Sequence, residues 1–277
     1  MRDFRDKVAV VTGAGSGIGR AVALQLAERG ARLALSDIDI EAATETARMA
    51  EKAGAEAVPH RLDVADRAAF LDHADGVRGH FGGVNVVVNN AGVSLSATVV
   101  DMHWDDFDWI VGIDFGGVVN GTKAFLPDLI ASGDGHIVNV SSVFGLMSIP
   151  GQSAYNAAKF AVRGFTGSLR QEMISGGHRV GVTCVHPGGI KTNIVRNGRQ
   201  SGEYAQDLQV KDENFQRIAF TRPETAARRI IRGIEKNKPR VLIGPDARLF
   251  DTLPRLLGGR YQDVMARPLA AGQRIGS

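Results

Sequence analysis

The chain holds 277 residues, enough for one large domain with a sizeable core. With 44% hydrophobic and 23% charged residues it has the composition of a soluble globular protein, and its net charge of +3, without a run of five Lys or Arg, excludes nucleic acid as the main partner. Cys184 is the lone cysteine, which rules out an internal disulfide and suits a reducing compartment. No stretch has the eighteen or so apolar residues of a membrane helix, and MRDFRDKVAVVTG has too short an apolar run for a signal peptide. The expectation is a cytoplasmic protein with no stable membrane insertion.

Strand-like and helix-like patterns alternate from the start. KVAVVT (7–12) reads as a buried strand, followed by a helix from Gly17 to about Arg29 with Ile18, Val22 and Leu26 on one face. A strand at 32–36 and a helix at 40–53 come next. Residues 56–62 predict a third strand, which Pro59 places at a sheet edge. A helix at 66–80 precedes VNVVVNN (84–90), a buried strand. The pattern continues with a long helix over 104–130, a strand at 135–142, a helix at 151–174 and a strand at 179–188. Residues 190–222 are polar and irregular and read as a substrate lid. A helix at 223–236 and a short strand at 240–244 complete the series.

This alternation predicts a Rossmann-type α/β fold: one domain with a doubly wound, roughly seven-stranded parallel sheet and helices on both faces. The tail, 246–277, interleaves Leu, Phe and Tyr with Arg. It reads as a subunit contact rather than a membrane-surface helix, because Pro254 and Gly258–Gly259 interrupt a long amphipathic face.

TGAGSGIG (12–19) lies between the first strand and the first helix. Gly13, Gly17 and Gly19 allow a tight turn and close approach of backbone to a pyrophosphate at the helix N-terminus. The spacing is G-x-x-x-G-x-G rather than G-x-G-x-x-G. Asp37 ends the second strand eighteen residues after Gly19. A carboxylate there accepts adenosine ribose hydroxyls and repels a 2′-phosphate. Asp37 or Asp39 also suits the cap of the following helix. With no Lys or Arg inside the loop, NAD is expected over NADP.

SAYNAAKFAV (153–162) sets Tyr155 and Lys159 four residues apart, on one helix face. A free phenol, with a pKa of about 10, is a poor base near neutrality. A neighbouring ammonium stabilises phenolate and lowers that value. Ser142 stands thirteen residues upstream, at a strand end, beside Ser141; alternation along the strand lets one of the two face a cleft.

Taken together, TGAGSGIG (12–19), LDV (62–64), NNAG (89–92), VSS (140–142), YNAAK (155–159) and HPGGIKT (186–192) resemble, in order and spacing, the short-chain dehydrogenase/reductase family in its compact form. The resemblance implies an oxidoreductase that moves a hydride between a secondary alcohol or ketone and a nicotinamide cofactor. It implies that Ser142 orients the reacting oxygen, Tyr155 is the acid/base, and Lys159 holds the nicotinamide ribose. It places Ser16 and Ile18 of the glycine loop, Asp63 and Val64, and Asn90, Ala91 and Gly92 on the cofactor. Pro187, Gly188, Ile190 and Thr192 hold its nicotinamide end. Where the family carries an Asn that anchors a water beside the lysine, this chain has Asp114. A buried carboxylate there raises the lysine pKa and alters the pH profile.

Substrate contacts are expected from Ser142, Phe144, Tyr155 and Gly189, with Ser94, Leu95, Val143, Leu146, Met147, Ile149 and Ile194 nearby. Their apolar character suits a lipophilic small molecule. The lid adds Arg196, Arg199, Glu203, Tyr204 and Phe215. The histidines show no ligand spacing, so no metal is assigned, and His186 before Pro187 reads as structural. The family's habit of forming tetramers or dimers through helices 104–130 and 151–174 makes a homo-oligomer the expectation. Two other readings share these residues: a non-catalytic NAD-sensing or scaffold protein, and an NADPH-dependent carbonyl reductase.

Overall fold

A computed structural model of the chain describes all residues except Arg2, 205–212, 214–218 and 267–277. Phe215, much of the expected lid and the end of the tail lie outside the described residues. The elements in chain order are β1 (Val8–Thr12), α1 (Gly17–Ala27), β2 (Arg32–Asp37), α2 (Ile40–Lys52), β3 (Ala57–Arg61), α3 (Arg67–Phe81), β4 (Val86–Asn89), β5 (Leu95–Ser96) and α4 (Trp104–Val111). They continue with a π-helical turn (Gly112–Gly116), α5 (Gly117–Ala131), β6 (Gly135–Val140), α6 (Ser153–Ser175), β7 (Val180–Pro187), β8 (Arg199–Gln200), α7 (Pro223–Glu235), β9 (Arg240–Ile243) and α8 (Pro245–Leu257).

Seven strands form one parallel sheet in the order β3-β2-β1-β4-β6-β7-β9. This is the Rossmann-type sheet expected. Pro59 sits in β3, an edge strand, where its missing N–H leaves no central ladder bond unmade. The strand order reverses between β1 and β4, so a crevice opens there at the carboxyl ends of the strands.

The central strands are apolar on both faces because both faces are covered. Every residue of β1, β4, β6 and β7 is buried. On one face Ala9, Val11, Leu33 and Leu35 pack with Val22, Leu26, Ile230 and Ile234, which joins the sheet to α1 and α7. On the other, Val10, Val87 and Ile137 pack with Phe70, Phe125, Leu129 and Leu169 from α3, α5 and α6. A fully buried Val, Leu, Ile or Phe side chain contributes about 1.5–3 kcal/mol. Cys184 is buried in β7, and burial pushes its thiol up to about 12.

Three features depart from expectation. The helix expected over 104–130 runs without a gap from Trp104 to Ala131 but widens at Gly112–Gly116, where Gly117 N–H bonds Gly112 O and the turn takes an extra residue. Asp114, in that turn, is completely buried. A second, two-stranded parallel sheet pairs β5 with β8, a contact between distant segments that no local pattern announces. Finally, Pro254 lies inside α8 without ending it; the helix stops at Gly258, whose φ is +55°. No helix among the described residues is long and apolar enough to cross a membrane.

Candidate active site

The glycine loop leaves β1 and turns into α1. Gly13 has φ +62°, and a Cβ there would lie 2.9 Å from Ala91 Cα. Gly17 has φ +52°, and its Cβ would press on Thr192 at 2.9 Å. Both positions therefore exclude a side chain twice, by backbone conformation and by space. Ser16 is the N-cap of α1 and makes no side-chain cap, Ile18 follows in the first turn, and Gly19 packs against the Gly13 carbonyl.

Asp37 and Asp39 divide the two roles open to them. Asp39 caps α2 by accepting from Ala42 N–H at 3.1 Å. Asp37 instead faces the glycine loop, where its Oδ2 accepts from Gly15 N–H at 2.8 Å. Asp63 accepts from Ala65 N–H, and Val64 is buried against α5. Across the crevice, Thr12 Oγ1 accepts from the N–H groups of both Asn90 and Ala91 at 3.0 Å, and the Asn90 amide donates to Thr12 O and Gly13 O. Thr12 thus ties the ends of β1 and β4 together. Its place as the first residue of TGAGSGIG was the available signal.

Beyond β7, Gly188 N–H bonds Ile243 O, and Gly189 N–H donates to Asp246 Oδ2 at 2.7 Å. Ile190 is buried and bridges to Thr221, and Thr192 lies over Gly17. Asp246 is a further residue that the sequence patterns did not single out.

Ser142, Tyr155, Lys159 and Asp114 meet in one place. Ser141 turns away, its Oγ donating to Lys159 O at 2.8 Å, while Ser142 Oγ accepts from Phe144 N–H at 3.1 Å and lies near enough to the Tyr155 phenol to lower its pKa. Phe144 stands edge-on to the Tyr155 ring at 6.2 Å. Lys159 Nζ is 5.5 Å from the centre of that ring, and one helical turn of α6 sets this spacing. On its other side the ammonium lies 3.2 Å from Asp114 Oδ2. Asp114 Oδ1 accepts from Val93 N–H at 2.8 Å, and Gly92 leaves room for both groups.

Burial raises the Asp114 carboxyl above the usual carboxylate range, against the pull of Lys159. Burial opposes the Lys159 charge, but Asp114 and Tyr155 outweigh it, so the ammonium is held above its ordinary pKa. Burial also carries the Tyr155 phenol upward; Lys159 and Ser142 lower it, and Asp114 adds to the rise. The expected acidifying effect of Lys159 is present, yet desolvation exceeds it.

Among the described residues, no group of three or more His, Cys, Asp or Glu side chains is placed to hold a metal ion. Tyr204 packs on Gly151, and Arg199 lies over the Trp109 ring at 4.1 Å while pairing with Asp106 at 2.9 Å.

A model of the short chain dehydrogenase family matches residues 7–202. The chain is 54% identical over 271 residues to the putative oxidoreductase SadH of Mycobacterium tuberculosis, covering 98% of both proteins. It is 35% identical to the C alpha-dehydrogenase of Sphingobium sp. strain SYK-6, over 90% of this chain and 84% of that one. Among solved structures, a short chain dehydrogenase/reductase from Burkholderia phymatum in complex with NAD superposes with a TM-score of 0.85 at 30% identity, covering 95% of this chain and 97% of that one. Carveol dehydrogenase from Mycobacterium avium in complex with NAD gives a TM-score of 0.67 at 29% identity over 71% and 76%. The chain belongs to the short-chain dehydrogenase family and is an oxidoreductase of that class.

Proposed function

We propose that this oxidoreductase moves a hydride between a lipophilic secondary alcohol or ketone and NAD, with Tyr155 transferring the proton. The observation that carries the reading is the meeting of Ser142, Tyr155 and Lys159 in one place, with the ammonium 5.5 Å from the centre of the phenol ring and the serine hydroxyl near enough to lower the phenol pKa. The glycine concavity at Gly13 and Gly17, the α1 N-terminus and the Asp37 carboxylate fit a dinucleotide. Asn90, Ala91 and Gly92 flank it on one side, and Pro187, Gly188, Ile190 and Thr192 on the other. When bound, NAD supplies the hydride acceptor.

In oxidation, Ser142 hydrogen-bonds the substrate oxygen and Tyr155 takes its proton as the carbinol carbon loses hydride; reduction reverses both transfers. Lys159 holds positive charge next to the phenolate, and Asp114 keeps that charge in place. Position and electrostatics are the protein's contribution. Asp37 at the end of β2 supports NAD over NADP, as do the NAD-bound neighbours. Apolar Val93, Leu95, Phe107 and Phe144 around Tyr155 support a lipophilic substrate, in keeping with a neighbour named carveol dehydrogenase.

The segment 190–222 acts as the lid, with Arg199 and Gln200 paired to β5, and the whole chain works as one catalytic domain in a cytoplasmic homo-oligomer. The test is the absorbance of reduced nicotinamide on a panel of secondary alcohols with NAD and with NADP. Tyr155→Phe should lower kcat by about 10²–10⁴ without weakening NAD binding. Tight NAD binding with no turnover on a broad panel would overturn the reading in favour of a sensor.

A further inference from the structure

His186 is fully buried in β7, one residue before the Pro187–Gly188 turn. The β6–β7 ladder runs from Gly135↔Val180 to Val140↔Val185, and its last backbone bond is Ser141 N–H to Val185 O. In this register the next donor from β7 would be the N–H of residue 187, which is proline and has none. The backbone ladder therefore stops one residue short of Ser142. At that point the imidazole takes over: His186 Nδ1 lies 2.9 Å from Ser142 O. A carbonyl only accepts, so Nδ1 carries the hydrogen, and Nε2 is left without a partner in the interior. Gly145 N–H donates to the same carbonyl at 3.0 Å. The Ser142 carbonyl is thus held from two directions, and its hydroxyl lies near enough to the Tyr155 phenol to lower its pKa.

We propose that His186 is a positioning residue for the hydride transfer: its Nδ1–H to Ser142 carbonyl bond sets the Ser142 hydroxyl relative to the Pro187–Gly188 turn. The proposal rests on the function given above, because it gives the two ends of that bond different jobs. Ser142 grips the substrate oxygen, and the turn holds the nicotinamide end of the cofactor. One side chain joins them, so alignment of donor and acceptor carbon depends on it. Burial holds the imidazole neutral, with its pKa lowered to about 4, which keeps Nδ1–H as its one donor.

His186→Asn and His186→Gln separate this role from packing. The Asn amide nitrogen falls where Nδ1 lies; the Gln amide reaches one carbon further. Steady-state kinetics, the NAD dissociation constant and the isotope effect with alcohol deuterated at the carbinol carbon are measured for both. Asn should keep kcat within about threefold, whereas Gln should lose about 10–100-fold in kcat, the scale of a misplacement near 1 Å. NAD affinity should stay within about twofold, and the isotope effect of the Gln variant should rise as hydride transfer becomes limiting. Nitrogen-15 NMR of the wild type at neutral pH should show a neutral, Nδ1-protonated ring. Equal kcat in all three proteins, equal loss in Asn and Gln, or an Nε2-protonated ring overturns the proposal and leaves the function standing. A wild type without turnover on any alcohol overturns both.

Discussion

The proposed mechanism asks Tyr155 to release a proton from a position that makes release difficult. Its phenol is buried, and the Asp114 carboxylate adds to the rise that burial causes. Lys159 and the Ser142 hydroxyl act in the opposite sense. Asp114→Asn removes the negative charge that raises the phenol, and it also lowers the Lys159 pKa; for as long as Lys159 keeps its proton the ammonium acts on the phenol unopposed. The phenol pKa then falls, so the rise of kcat/KM with pH in alcohol oxidation should begin at lower pH, with activity retained. An unchanged pH–rate curve would show that Asp114 has no electrostatic hold on the pair.

At the scale of elements, local pattern located the main strands and most helices to within a residue or two because apolar faces and turn residues are written in short windows. The glycine loop, Ser142, Tyr155 and Lys159 were legible for the same reason: each sits in a contiguous motif at a strand end or on one helix face. The π-helical turn was not. It carries the buried Asp114, which pairs with Lys159 45 positions along the chain, and the hydrophobic period of 104–130 holds no trace of that contact. The β5–β8 pairing was equally hidden, since two residues bonded to two others about a hundred positions away make no pattern.

That small sheet has a mechanical consequence. Arg199 N–H bonds Ser94 O, Ser201 N–H bonds Ser96 O, and Ser94 Oγ donates to Ile194 O. The Arg199 guanidinium then stacks on Trp109 and pairs with Asp106, on a face that is partly open to solvent. A contact of this kind is worth about 1 kcal/mol, close to a fivefold change in an equilibrium. Arg199→Ala should therefore loosen the segment and raise the substrate KM about fivefold, with hydride transfer in single-turnover experiments unchanged. A lowered single-turnover rate would place Arg199 in the chemistry instead.

For the whole molecule, three buried histidines set the response to acid. Burial lowers His73 to about 3, His136 to about 3 and His186 to about 4. Their folded-state values lie below the unfolded value of about 6.5, so the unfolded chain binds more protons between these limits. The stability they contribute is complete above pH 6.5 and is lost as pH falls toward 3–4. At pH 5 each is expected to cost about 2 kcal/mol. The urea midpoint should drop steeply between pH 7 and pH 5, and His73→Phe, set among Phe70 and Phe125, should flatten the drop. A midpoint independent of pH in this range would contradict the assigned burial.

The sulfur in β7 gives experimenters a quiet background. With its thiol pushed to about 12 and shut away from solvent, Cys184 should ignore maleimides in the native protein and react, one equivalent per chain, after denaturation. A cysteine engineered at exposed Ile38, next to Asp37, would then be the sole attachment point for a fluorophore or spin label. Cofactor docking could be followed by optical or magnetic signals without first stripping the chain of native thiols.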